Sequence, residues 1–129
     1  MFPILATIVL GVMLATSTTT ETYIRPLENY TVPELIEHYS AIYNIDGEML
    51  LKIAKCESKL NPSAINYNDG GEGKHSVGVM QFQESTFLNW EKKLGENLNY
   101  NSAHDQIKLA SFMFSKNQQG QWSCYKMVK

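Results

Sequence analysis

The sequence predicts a mainly α small domain with at most one short β-hairpin, and three observations carry that prediction. Apolar residues recur at helical spacing in several stretches that open on a side chain suited to cap a helix. One polar, glycine-rich loop, Asn66 to Lys74, leads into a short apolar run, Val77 to Phe82, where a hairpin fits. The 129 residues hold no internal repeat and no low-complexity linker beyond a threonine-rich stretch near the N-terminus, so a single modest core is expected.

Taken in order, the chain begins with an apolar run, Phe2 to Ala15, followed by Thr16 to Thr20. This reads as the hydrophobic region and polar exit of a secretory signal, with cleavage after Ser17. The run is short for a membrane span. No Lys or Arg precedes Arg25, so an uncleaved anchor touching a membrane through residues 2–15 stays open, as does a buried first helix. The layout expected is therefore 1–20 signal or anchor, 21–30 linker and 31–129 folded domain.

Thr31 with Glu34 three residues on forms a capping box, and Leu35, Ile36, Tyr39, Ile42 and Tyr43 then make one apolar face. A second helix runs from Asp46 as N-cap, with Glu48 favouring its positive end, to Asn61 and Pro62, which cannot continue it. Ser85 opens a third, carrying Phe87, Leu88, Trp90 and Leu94 up to Gly95. Ser102 with Asp105 opens the last, in which Ile107, Ala110, Met113 and Phe114 recur until Gly120.

Within the second helix Glu57 follows Leu50, Leu51, Ile53, Ala54 and Cys56, in the last turn beside a loop. A carboxyl partly withdrawn from water has its charged form disfavoured, which raises its pKa towards the range of a general acid at neutral pH. The plainer reading is a solvated glutamate on a polar face. Gln81 interrupts the apolar run of Val77 to Phe82, and its amide could donate to and accept from a sugar's hydroxyl or N-acetyl group, or else point outward from a hairpin.

Lysines are scattered and the formal net charge is −2, so no basic stripe points to nucleic acid. His38, His75 and His104 lack metal-ligand spacing, and no metal or cofactor is expected. In an exported protein the two cysteines, Cys56 and Cys124, allow one intramolecular bridge, which would tie the C-terminus beside Glu57. A nucleophilic Cys56 with a histidine base is the sharper alternative.

The stretch "CESKLNPSA" followed by "SVGVMQFQESTF" resembles the catalytic core of lytic transglycosylases, with a layout also similar to resuscitation-promoting factors. Glu57, Ser58, Gly78, Met80, Gln81, Ser85 and Thr86 carry the likeness, which covers roughly residues 47–125. It implies a lysozyme-like fold, peptidoglycan glycan strands as substrate, and Glu57 as general acid and then base at the β-1,4 bond between N-acetylmuramic acid and N-acetylglucosamine. By position it implies substrate contacts from Ser76, Met80 and Gln81, with Phe82 beneath or lining the groove, and from Asn66 and Tyr67 in the loop. A hydrolytic muramidase would need a second carboxylate, for which Asp69 and Glu72 stand at a suitable distance along the chain.

The chain departs from the transglycosylase pattern where a late Tyr-Asn-Ala-Gly segment is replaced by "SFMFSKNQQGQW". That leaves Tyr100 or Tyr125 as candidates for an orienting hydroxyl, and Trp122 with Cys124 follows the resuscitation-promoting factor layout. A peptidoglycan-binding module without catalysis is the alternative class. A monomer acting in the periplasm, at the cell surface or in secreted form is expected.

Overall fold

A computed structural model describes residues 11–71 and 73–129. The apolar run before Gly11 and the candidate carboxylate Glu72 lie outside the described residues. From Gly11 to Arg25 the chain is exposed and without regular structure, so this part of the run is not the buried first helix. No helix among the described residues is long and apolar enough to cross a membrane.

Five α-helices follow a 3-10 turn at Leu27–Asn29: α1 Val32–Tyr43, α2 Gly47–Ser58, α3 Glu84–Leu94, α4 Ala103–Ser115 and α5 Tyr125–Val128. Between α2 and α3, β1 Ile65–Asn66 pairs antiparallel with β2 Ser76–Val77, in the register Ile65 to Val77 and Asn66 to Ser76. The expected mainly α fold with one short hairpin is what forms.

Local chemistry explains the boundaries. Glu34 accepts from the Thr31 backbone N–H at 2.6 Å, closing the capping box on α1. With the Arg25 guanidinium also bonded to it, its carboxyl is held down to about 2. Asp46 caps α2 by accepting from Met49 N–H at 3.0 Å, and Ser102 caps α4 by accepting from Asp105 N–H. Gly95 ends α3 at φ 79. Three ends differ from the sequence reading: α2 stops at Ser58, because Lys59 and Leu60 turn left-handed before Pro62 is reached. Gln83 rather than Ser85 precedes α3, and α4 stops at Ser115, ahead of a 3-10 turn at Gln119–Gln121.

The core forms where α1 packs on both α4 and α2, with α3 also against α4. Leu50, Ile53 and Ala54 of α2, Phe87 of α3, and Ile107, Leu109, Ala110 and Met113 of α4 are fully buried. Each large side chain among them stabilises the fold by about 1.5–3 kcal/mol through removal from water. The exception to helical packing is the segment Val77–Phe82, whose Val79 and Met80 are also fully buried. A disulfide joins Cys56 to Cys124 with Cα atoms 6.0 Å apart, and so fixes the C-terminal segment against the end of α2.

Candidate active site

The last turn of α2 delivers Glu57 to a cleft of about 290 Å³. Gln81 and Phe82 line it together with Thr86 of α3, Asp69 of the glycine-rich loop, and Gln121, Trp122 and Ser123 near the C-terminus. A half-buried carboxylate here has few partners: Glu57 Oε1 accepts the Cys124 backbone N–H at 3.3 Å, and the Ser123 side chain faces it. Burial pushes the pKa of Glu57 up, and the nearby charge of Asp69 adds to the rise. The Cys124 N–H and Ser123 pull the other way, yet burial prevails and the net direction is upward.

Beneath the carboxylate lies a tight turn. Val77 and Phe82 exchange backbone hydrogen bonds of 3.0 and 3.1 Å, and Gly78 at φ 80 reverses the chain between them. A Cβ on Gly78 would stand 2.4 Å from Gln106 Nε2, so both the backbone angle and the lack of space demand glycine. Gln106, fully buried on α4, ties this segment to the chain ahead of its own helix: Oε1 accepts from Met80 N–H, and Nε2 donates to the carbonyls of Val77 and Tyr100. The Ser58 hydroxyl donates to Val79 O at 2.7 Å, and Trp122 Nε1 donates to Met80 O at 2.8 Å. The residue after Glu57 and the residue before Ser123 are thus both anchored on one turn.

The sequence-derived contact residues separate into three groups. Gln81 lines the cleft, but at φ 53 its side chain folds back: Nε2 donates to Ala64 O and Gly78 O, and Oε1 accepts from Ser76 Oγ. Its two amide hydrogens are therefore already engaged, and the expected donation to a sugar gives way to bracing of a left-handed residue. Ser76 at 1% exposure and Met80 at 0% lie in the interior, so neither side chain reaches a groove as expected. Phe82, 3% exposed, packs beneath.

Asn66, at the end of β1, and Tyr67, the next residue, are exposed and are not among the residues that line the cleft; Tyr67 instead meets His75 edge-on at 5.2 Å. Of the two candidate hydroxyls, Tyr100 Oη donates to the Phe82 carbonyl below the cleft, and Tyr125 lines a different hollow. Cys56 is bonded to Cys124 and is no free nucleophile. Among the described residues no group of three metal-ligating side chains occurs.

Sequence reasoning passed over Gln106, Gln83 and Ser123. Gln106 had a signal: a polar residue in register with Ala110 and Met113 on the apolar face of α4. Gln83, which donates to Asp69 O at 2.7 Å and pins the loop, had none, nor did Ser123, brought in by a bridge across 68 residues.

A helical domain with a half-buried acid at a helix end, beside a Gly-Val-Met-Gln turn, is the arrangement the resemblance anticipated. The family described as transglycosylase SLT domain matches residues 34–121. The chain belongs to this family. Its match runs from within α1 through the second 3-10 turn, so the SLT domain of this protein contains Glu57, the 78–81 turn and Gln106. No curated protein matches the chain. SLT membership brings a lysozyme-like fold and peptidoglycan glycosidase activity of the lytic transglycosylase type, exerted outside the cytoplasm.

Proposed function

We propose that the protein is a lytic transglycosylase that cuts the β-1,4 bond between N-acetylmuramic acid and N-acetylglucosamine, with Glu57 as its catalytic residue. The observation that carries this reading is the raised pKa of Glu57 in a cleft. Burial favours the protonated carboxyl, the form that can pass a proton to the leaving oxygen. The carboxylate so formed then takes the proton of the muramic acid's own 6-hydroxyl, whose oxygen attacks C1 and closes a 1,6-anhydro ring. The proton count balances: one given, one recovered.

Cys124 N–H and Ser123 favour the charged form that the second half of the cycle needs. Bonds that strengthen as charge develops lower the barrier more than bonds made equally throughout. The bracing of the 78–81 turn by Gln106 supports a positioning role for that turn under the sugar.

A second reading is favoured by one observation: Asp69 lines the same cleft. Paired carboxylates are the arrangement of a hydrolytic muramidase, in which the second activates water or attacks the sugar. Mass spectrometry of soluble products from purified peptidoglycan decides between them. Muropeptides ending in 1,6-anhydro-muramic acid from the native protein and from Asp69→Asn, but not from Glu57→Gln, are the expected result. Reducing-end products lost in Asp69→Asn would establish the muramidase instead. No products from the native protein, with binding to the glycan retained, would leave a binding module.

The chain's N-terminal run supports export by a secretory signal, with residues 21–30 as linker and a monomeric domain beyond. N-terminal sequencing of the exported protein tests the cleavage after Ser17.

A further inference from the structure

The glycine-rich loop brings Asp69 to the active cleft, yet little within the loop fixes where that carboxylate stands. Gly70 and Gly73 lie at φ 85 and 74, angles that glycine adopts and leaves freely. The loop's own hydrogen bonds close it on itself: Asp69 N–H donates to Lys74 O at 2.9 Å, Lys74 N–H to Gly71 O at 3.2 Å, and Asn68 N–H to Asn66 Oδ1 at 3.2 Å. Such bonds shape a turn without setting its place over the helices.

Among the described residues, one hydrogen bond ties residues 68–74 to the helical body, and it comes from Gln83. Gln83 stands at the N-cap of α3, where Ser, Thr, Asp or Asn would turn back to hold the first N–H groups of the helix. Its side chain makes no such cap. Instead Nε2 crosses to the loop and donates to the Asp69 carbonyl at 2.7 Å. The acceptor belongs to the main chain, so the bond fixes the backbone of Asp69 and leaves its carboxylate to the cleft.

The cleft gives that placement a chemical effect. Among the described residues that line it, Glu57 and Asp69 are the two with ionisable side chains; Gln81 of the turn, Gln83 and Thr86 at the head of α3, and Gln121 are neutral. The C-terminal segment sets the Cys124 N–H and the Ser123 side chain against Glu57. Asp69 is thus the negative neighbour of Glu57, and its charge disfavours loss of the Glu57 proton. Repulsion between like charges weakens with distance, so the effect falls if the loop moves away.

We propose that Gln83 is a positioning residue for the reaction: by bonding the Asp69 main chain to the head of α3, it sets how close the Asp69 carboxylate stands to Glu57 in the cleft. Gln83 needs no contact with the sugar for this role. The kinetic consequence rests on Glu57 as the catalytic acid, whereas the placement of Asp69 does not.

The test is a carbon-13 titration of the Glu57 carboxyl in the full chain, its resonance assigned by its loss in Glu57→Gln. Gln83→Met keeps the bulk of the side chain but has no donor, and should lower the Glu57 midpoint to a value between those of the native protein and Asp69→Asn. In the Asp69→Asn background Gln83→Met should lower it no further, because the charge it displaces is already gone. Gln83→Asn falls one methylene short of the loop yet can cap α3, so its urea midpoint should hold or rise while the Glu57 midpoint falls as in Gln83→Met. A loss of folding alone would move the two together. On purified peptidoglycan the alkaline limb of kcat/KM should shift to lower pH in both variants. A Glu57 midpoint unmoved by Gln83→Met, or one that falls equally in the Asp69→Asn background, would overturn the proposal. A midpoint that falls as expected in a protein that makes no product would count against the catalytic reading alone.

Discussion

Glu57 decides the chemistry at the scale of one residue, and its raised pKa makes two predictions. Folding holds a proton on this carboxyl more tightly than the unfolded chain does, so its contribution to stability is fully present below the ordinary value of 4.5. That contribution is lost as pH rises through the raised folded value. Glu57→Gln, which keeps an acceptor for the Cys124 N–H but carries no charge, should melt higher than the native protein at neutral pH. Thermal scans should show the gap closing as pH falls towards 4.5, while turnover drops by about 10²–10⁴-fold at every pH. A gap that widens in acid would contradict the assignment. Asp69→Asn removes a negative charge that raises Glu57. The alkaline limb of the kcat/KM profile should therefore shift to lower pH, since the general acid loses its proton earlier.

At the scale of the element, the 78–81 turn is where the fold and the site depend on the same atoms. Gly78→Ala imposes a left-handed angle on a residue with a Cβ and drives that Cβ into Gln106. Strain of about 1–3 kcal/mol and displaced buried hydrogen bonds of similar size should add, giving a loss of roughly 2–6 kcal/mol in urea unfolding. A cost below about 1 kcal/mol would show that the turn adapts. The helices behave differently, because each boundary rests on a local cap. Thr31, Asp46, Ser102 and Gly95 were legible in the sequence for that reason: a cap bonds within three or four residues of itself. The end of α2 was misread by a few residues, since Lys59 and Leu60 adopt left-handed angles that nothing in their identity requires.

For the whole molecule, the Cys56–Cys124 bridge is the longest-range constraint on the site. It closes a separation of 68 residues, for which the chain-entropy model gives roughly 4 kcal/mol of stabilisation. Reduction, or the paired change of both cysteines to serine, should lower the urea midpoint by that order with the slope nearly unchanged. Activity should fall at temperatures where the domain remains folded, because the bridge also holds Ser123 and the Cys124 N–H against Glu57. Full activity in the reduced, folded protein would show that the carboxylate is positioned by α2 alone.

What the sequence by itself determined is local or compositional. Capped apolar stretches gave a mainly α domain, and the single glycine-rich loop gave a hairpin. An acid after an apolar run marked Glu57, and two cysteines left one pairing. The tertiary structure alone decided which polar groups spend their hydrogen bonds inside. Gln81 turns its amide onto Ala64 and Gly78, Ser76 and Met80 pack inward, and Gln106 crosses from α4 to hold a turn almost thirty positions earlier. Each of these polar side chains could equally have faced a sugar by residue type. Which it faces depends on the unpaired backbone groups that folding brings within reach, and those are set by contacts across the chain rather than along it.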